Sequence, residues 1–261
     1  MPLDMSLDSR TALVTGAGKG SGEGIARVLA EQGAAVAVND LHRDRAERVA
    51  AEITAAGGRA HPIAFDVCDA AAVGAGVAAI EAELGPVDVL VNNAGMPEGS
   101  TWKTIGRHVP FKESTVEEWK VWLDLGAYGQ MNCVRAVLAG MCERGWGRVI
   151  QISSGMASRG LPNNESLLGM SKAAIEGLLR NVAIEVARDG VTVNTIALGL
   201  MANAGDHADP AVVERTLDRV PIGRAGEFRE AGAAVAWLAS VESAFITGQT
   251  IHVNGGSFQG R

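Results

Sequence analysis

The chain has 261 residues, 47% of them hydrophobic and 20% charged, with a formal net charge of −7. That length buries a full core in one large α/β domain, and the composition excludes a disordered chain. An acidic balance speaks against nucleic-acid and anionic-membrane surfaces, which need clustered Lys and Arg to displace counterions.

The opening MPLDMSLDSR carries acids where a leader would carry a basic and then an apolar run. No apolar stretch reaches the ~18 residues of a membrane span. A cytoplasmic protein without membrane contact is expected. TALVTG, from Thr11, reads as the first strand and runs directly into TGAGKGSGEGIA. Gly16, Gly20 and Gly22 are spaced for a tight turn, a close approach of backbone N–H groups to a pyrophosphate, and a helix start packed on the sheet; Lys19 and Ser21 lie in the same turn. The second strand, AAVAVND from Ala34, ends on Asp40, 18 residues beyond Gly22, with Leu41 next. An acid there accepts hydrogen bonds from both hydroxyls of an adenosine ribose and repels a 2′-phosphate, so NAD(H) is favoured. Two nearby cations, Lys19 and Arg43, leave NADP(H) open. The competing reading is that Asp40 caps the next helix.

Five more strands follow: AHPIAFDV from Ala60, VDVLVNNAG from Val87, GRVIQISS from Gly147, VTVNTIAL from Val191 and QTIHVNGG from Gln249. Between them, segments such as RAERVAAEITAA and AAIEGLLRNVAIEVAR carry apolar residues at helical spacing. Seven strands joined by six crossovers predict a doubly wound α/β fold, one parallel sheet with helices on both faces. No linker divides the chain, so 1–261 reads as a single domain. Met96–Ser114 and Gly199–Val220 are too long to be simple connections. Both leave carboxyl ends of strands, where open α/β sheets bind ligands, and are candidate substrate walls, with about 199–220 as a lid. Cys68, Cys133 and Cys142 form no C-x-x-C pair, so neither a disulfide framework nor a zinc site is expected. His207, between Asp206 and Asp209 and before Pro210, matches no ligand spacing on a helix face, and no metal is expected. His42, His61, His108 and His252 read as structural or surface residues.

Taken together, the glycine motif, FDV, NNAG, ISS, a lysine on the next long helix and the closing ITGQTIHVNGG resemble the short-chain dehydrogenase/reductase family over nearly the whole chain. The resemblance implies a Rossmann-type NAD(P)-binding domain and a dimer or tetramer built on two long helices, here about Glu117–Glu143 and Ser166–Arg188. It implies that Asp66 and Val67 bracket the adenine, that Asn92, Asn93, Ala94 and Gly95 line the adenosine side and steady the fourth strand, and that Lys172 holds the nicotinamide ribose. Gly199 falls at the glycine that follows the sixth strand.

The same resemblance implies a serine that orients the substrate carbonyl, a tyrosine that exchanges its proton, a lysine that lowers that tyrosine's pKa, and an asparagine that holds a relay water. Ser154 matches the serine. The tyrosine position, four residues before Lys172, holds Leu168, and the asparagine position, seven after Trp119, holds Gly126. The usual Pro-Gly reads Leu198-Gly199, and the threonine expected four residues after that glycine is Asn203. A positioned general acid is worth ~10²–10⁴ in rate and leucine donates no proton, so a replacement is needed. Glu165, seven residues before Lys172, is one candidate; its competing role is a solvated helix-start residue. Lys172 is another, although its ribose contact already accounts for it. Tyr128 faces elsewhere on the helix and is expected in a subunit interface.

The expected function is that of an NAD(H)-dependent oxidoreductase acting on a carbonyl/alcohol pair or a C=C bond. Met96, Trp102, Met156, Leu198 and Met201 fall near the substrate side and predict an apolar or bulky small-molecule substrate; the alternative is that some of them plug a closed pocket. The competing readings are a dehydratase, isomerase or lyase using Ser154 and Lys172, and a non-catalytic NAD-binding sensor or subunit. The assembly expected is a homodimer or homotetramer, with a hetero-oligomer containing a catalytic relative under the last reading.

Overall fold

Every residue of β1 (Thr11–Val14), β2 (Ala35–Asp40), β4 (Val87–Asn92) and β6 (Val191–Leu198) is buried, and β5 (Gly147–Ser154) is buried up to its last residue. Unbroken burial of this kind, without the alternation of a half-exposed strand, belongs to a parallel sheet covered on both faces. The two edge strands, β3 (Arg59–Ala64) and β7 (Thr250–Val253), are only partly buried. The computed structural model describes residues 4–97, 110–160, 165–202, 214 and 217–259. It joins the seven strands in the order β3-β2-β1-β4-β5-β6-β7, with every pair parallel. Trp102, His108, Asn203 and the Asp206, His207, Asp209 and Pro210 group lie outside the described residues.

The helices described are α1 (Gly20–Glu31), α2 (Arg43–Ala55), α3 (Ala70–Leu84), α4 (Val116–Leu123), α5 (Gly129–Glu143), α6 (Ser166–Val186) and α7 (Phe228–Ala239). One core lies between the sheet and α1, α2 and α7, with Ile25, Val38, Ile53, Ile150 and Leu238 among its members. The other lies under α3, α5 and α6, with Leu13, Ile80, Leu90, Val149 and Leu179. This is the doubly wound arrangement expected from the alternation of strands and helices. Among the described residues, no helix is long and apolar enough to cross a membrane.

The expected strands overrun the observed ladders where the chain turns to build the site. Phe65–Val67 and Asn93–Gly95 continue the apolar patterns of β3 and β4 but lie beyond their last paired residues, Ala64 and Asn92. The first long helix also differs from expectation. It starts at Val116 behind a capping box, in which the Thr115 hydroxyl accepts from the Glu118 N–H and Glu118 accepts from the Thr115 N–H. A π turn, Asp124–Tyr128, then separates α4 from α5. The second long helix ends at Val186 and tightens into a 3₁₀ turn, Ala187–Asp189, stopped by left-handed Gly190.

Candidate active site

Strand order reverses direction between β1 and β4, and ligands bind open α/β sheets at such a point. After β1, the Thr15 hydroxyl accepts from the backbone N–H groups of Asn93 and Ala94 at 3.0 and 3.1 Å. The Asn93 amide donates back to the carbonyls of Thr15 and Gly16 at 2.9 and 3.0 Å. These bonds tie the glycine turn to the turn after β4. Gly16 has φ +62 and Gly20 φ +60, so both need the left-handed region that glycine occupies without strain. A β-carbon on Gly22 would lie 2.4 Å from the Gly16 carbonyl oxygen, which is why that position is glycine too.

Asp40, 6% exposed, ends β2 facing this turn. One carboxylate oxygen accepts from the Gly18 N–H at 3.1 Å and the other from the His42 N–H at 3.0 Å. The N-cap of α2 is His42, so Asp40 is not the helix cap. Gly18, which the spacing argument did not single out, is needed here: a β-carbon on it would come within 2.5 Å of the Asp40 carboxylate. Its carbonyl accepts from Arg48 at 2.9 Å, and Arg48 is held by Glu23 and Glu52. Hydrogen bonding to Glu23 raises the Arg48 pKa. Burial opposes ionisation of Glu23, but its bonds to Arg48 and Arg27 outweigh that and hold its carboxyl below the usual range. Nothing in the glycine motif itself signals this charged brace, because Arg48 comes from α2. Lys19 is the N-cap of α1, and Leu41 is half exposed beside Asp40.

Beyond β2, in the loop that follows β3, the Asp66 carboxylate accepts from the Cys68 N–H at 2.8 Å. The Asn132 amide on α5 donates to the carbonyls of Val67 and Cys68 at 3.0 and 3.4 Å. A concave surface lined by backbone N–H groups at a helix start, an acid at the end of β2 and a braced loop after β3 suits a dinucleotide. The residues present fit that group.

Around the carboxyl end of β5 and the first turns of α6 the chemistry changes. Lys172 is buried, and its ammonium donates to the Ile152 carbonyl at 3.0 Å. It also abuts Gly95, on which a β-carbon would be 2.7 Å from Nζ. Burial pushes this ammonium down to about 8, and Glu176, one turn along α6, acts in the opposite direction. Glu176 is itself buried, accepts from the Ser153 hydroxyl and pairs with Arg180. Ser154 ends β5, half exposed, its hydroxyl accepting from the Met156 N–H at 3.4 Å. Leu168 is buried one turn before Lys172. Gly126 lies buried within the π turn, directly against Ser171. π turns are frequent at functional sites, and this one holds Gly126.

Glu165 is the N-cap of α6 and lines a cavity of about 460 Å³ with Met156, Arg159, Ser166, Gly169 and Met170. The acid that bears on Lys172 is Glu176. Two residues expected at the substrate side turn inward instead: Leu198 and Met201 are 8% and 7% exposed and belong to the core under α1 and α7. Position at a strand's carboxyl end does not decide which way a side chain points, and apolar contacts drew these two inward. Met156 lines the cavity and Met96 is exposed. Gly199 donates to the Val253 carbonyl at 3.0 Å, joining the end of β6 to that of β7. Of the segment 199–220, the ends at 199–202 and 217–220 and Glu214 are described. Among the described residues, no group of three or more His, Cys, Asp or Glu could hold a metal.

The profile of the family described as Enoyl-(Acyl carrier protein) reductase matches residues 16–257. The chain is 36% identical over 252 residues to the 3-oxoacyl-(acyl-carrier-protein) reductase FabG of Staphylococcus aureus, covering 96% of this chain and 98% of that one. Its fold is similar to that of a gluconate 5-dehydrogenase from Burkholderia cenocepacia in complex with NADP and tartrate, with TM-score 0.88, 33% identity and 97% of each chain covered. It is also similar to a 3-oxoacyl-(acyl-carrier protein) reductase from Brucella melitensis with bound NAD, with TM-score 0.87, 33% identity and 97% and 93% of the two chains covered.

Proposed function

The chain belongs to the short-chain dehydrogenase/reductase family, and on that premise we propose that it is an NAD(H)-dependent oxidoreductase acting on a carbonyl/alcohol pair or a C=C bond of an apolar or bulky small molecule, with a proton donor other than tyrosine. What supports this is that the glycine turn is tied to the turn after β4 and to Asp40, whereas positions 126 and 168, which the resemblance gives to asparagine and tyrosine, hold glycine and leucine. Gly16, Lys19, Gly20, Ser21 and Gly22 would hold the pyrophosphate, Asp40 and Leu41 the adenosine ribose, Asp66, Val67, Asn93, Ala94 and Gly95 the adenine side, and Lys172 and Gly199 the nicotinamide side. Bound there, NAD(H) supplies or accepts hydride.

The preference for NAD(H) rests on Asp40. Its carboxylate, fixed by two backbone N–H groups, keeps acceptor capacity for ribose hydroxyls and repels a 2′-phosphate. The relatives of known structure include one with NADP and one with NAD, so they favour neither cofactor and the preference rests on Asp40 alone. Ser154 orients the substrate oxygen. Glu165, on the wall of the cavity beside Met156, is one candidate acid; Lys172 is the other proton carrier. Met156 and Met170 give the cavity an apolar wall. Val116, Val121, Tyr128 and Met131 along α4–α5, with Ile184 on α6, present exposed apolar surface that suits a homodimer or homotetramer.

The test is transfer of deuterium from NADH deuterated at C4 to a panel of 3-oxoacyl thioesters, cyclic ketones and enones, read by mass spectrometry. Label in a product supports the proposal. Turnover of a panel member with no label and no NADH consumed points to non-redox chemistry and overturns it.

A further inference from the structure

Gly18 stands in the glycine turn with the peptides on either side of it held from outside that turn. Its N–H donates to Asp40 at the end of β2 at 3.1 Å, and its carbonyl accepts from the Arg48 guanidinium on α2 at 2.9 Å. The N–H before it, that of Ala17, donates to the Asn39 carbonyl at 2.7 Å. Glycine has no side chain to restrict rotation about its own Cα, so these bonds decide how the two peptides are turned. A β-carbon at this position would lie 2.5 Å from the Asp40 carboxylate and 2.6 Å from Cβ of Arg45. The conformation is therefore imposed by partners on β2 and α2 rather than by residue 18 itself.

Arg48 is in turn held by two carboxylates. The guanidinium nitrogen that reaches Gly18 also donates to Glu23 on α1 at 2.6 Å, and the second terminal nitrogen donates to Glu52 at 3.1 Å. Arg27 closes the set by donating to Glu23 at 2.8 Å and to Glu52. Hydrogen bonds from Arg48 and Arg27 hold the Glu52 carboxyl below its usual range. Two arginines and two glutamates sum to zero charge, and each arginine is matched by the acids it binds. An isolated exposed pair is worth little, but forked guanidinium contacts in a closed network fix geometry better. Tying α1 to α2 needs only the four charged side chains. The bond from Arg48 to the Gly18 carbonyl is additional, and it reaches into the turn that faces the dinucleotide site.

We propose that Arg48, clamped by Glu23 and Glu52, is a positioning residue that sets the preference between the two dinucleotides: by fixing the Gly18 carbonyl it keeps the Gly18 N–H on Asp40 and so fixes the direction of that carboxylate. The inference rests on the NAD(H) reading of the site and extends it to residues outside the glycine motif. Asp40 discriminates only while its direction is fixed, since a carboxylate that turns aside neither holds ribose hydroxyls nor repels a 2′-phosphate. Without Arg48, the Gly18 peptide is free to rotate and Asp40 keeps one firm donor, the His42 N–H, in place of two. Lys19, Arg43 and Arg45, at the starts of α1 and α2, are then the charges that a 2′-phosphate meets.

The full chain and its variants Arg48→Met and Glu23→Gln test this by calorimetric titration with NADH and with NADPH. Hydrogen–deuterium exchange of the peptide covering Thr15–Ser21, measured without cofactor, accompanies it. Arg48→Met should lower the ratio of NADH to NADPH affinity about tenfold, the lower end of what a hydrogen bond to a charged group contributes, and Glu23→Gln should lower it by a smaller factor. The turn should exchange faster in both variants than in wild type. A merely structural brace weakens both dinucleotides equally; that result, or unchanged exchange in both variants, overturns the proposal. Where Arg48→Met fails to fold, Glu23→Gln and Arg48→Lys, which keeps the charge but not the fork, carry the same test. Wild type that binds neither dinucleotide contradicts the oxidoreductase assignment and the selection together, whereas NADH binding with an unchanged ratio contradicts the selection alone.

Discussion

Gly126 and Ser171 are packed so closely that a β-carbon on Gly126 would lie 2.7 Å from both Cβ and Oγ of Ser171. Ser171, the residue before Lys172, thus occupies space that an asparagine side chain at 126 would enter. Gly126→Asn alone is expected to destabilise the fold by about 1–3 kcal/mol through overpacking. Adding Ser171→Gly should recover part of that loss, so that the two changes are not additive in urea unfolding. Strict additivity would show that the two positions do not share this space.

Leu168 stands one helical turn before Lys172 and is 7% exposed. Leu168→Tyr places a phenol on the same stripe of α6 as the ammonium. With NADH and a short 3-oxoacyl thioester, the variant should reduce substrate ~10²–10⁴ faster than the wild type, the usual worth of a positioned general acid. A rate no higher than wild type would show that position 168 does not face the reacting oxygen.

Asp40 accepts from both Gly18 and His42, and Asp40→Ala removes a charged acceptor from the turn and from the ribose position together. Hydrogen bonds to a charged group are worth ~1.5–3 kcal/mol. NADH affinity, measured by fluorescence titration, should fall about tenfold to a hundredfold, and NADPH affinity should fall less or rise. Equal losses for both cofactors would remove Asp40 from the discrimination.

Lys172 loses its proton at about 8 in the folded chain, against 10.5 for an ordinary lysine. Between those values the unfolded chain binds more protons than the folded one, so stability contributed at this site rises with pH across that window. Below pH ~8 the buried charge costs the folded state its full penalty, on the order of 3 kcal/mol. Lys172→Met should therefore gain most over wild type at pH 7, with the advantage shrinking toward pH 10. Urea denaturation of both proteins at several pH values checks this, and a pH-independent difference would contradict it.

What the sequence makes legible here is chemistry dictated locally. Gly16, Gly20 and Gly22 are readable because turns and close backbone approaches restrict the residue that fits, and Asp40 because a strand end followed by a turn is a short-range pattern. Gly126 and Leu168 are readable by counting from Trp119 and Lys172. Contacts assembled from distant elements are not. The brace of Arg48 on Gly18 joins α2 to the turn after β1, and Lys172 reaches from α6 to the Ile152 carbonyl of β5. The π turn escapes periodicity analysis because one extra residue in a long apolar pattern resembles ordinary drift. Leu198 and Met201 show the limit of reading by position alone, since each stands at the ligand edge and turns into the core.

The measurement that bears most directly on a retained cofactor platform with a changed proton site is calorimetric titration of the purified protein with NADH and with NADPH, repeated on Lys172→Ala. NADH should bind at one site per chain, more tightly than NADPH, and the variant should bind it more weakly. Absence of binding to either dinucleotide would contradict the account.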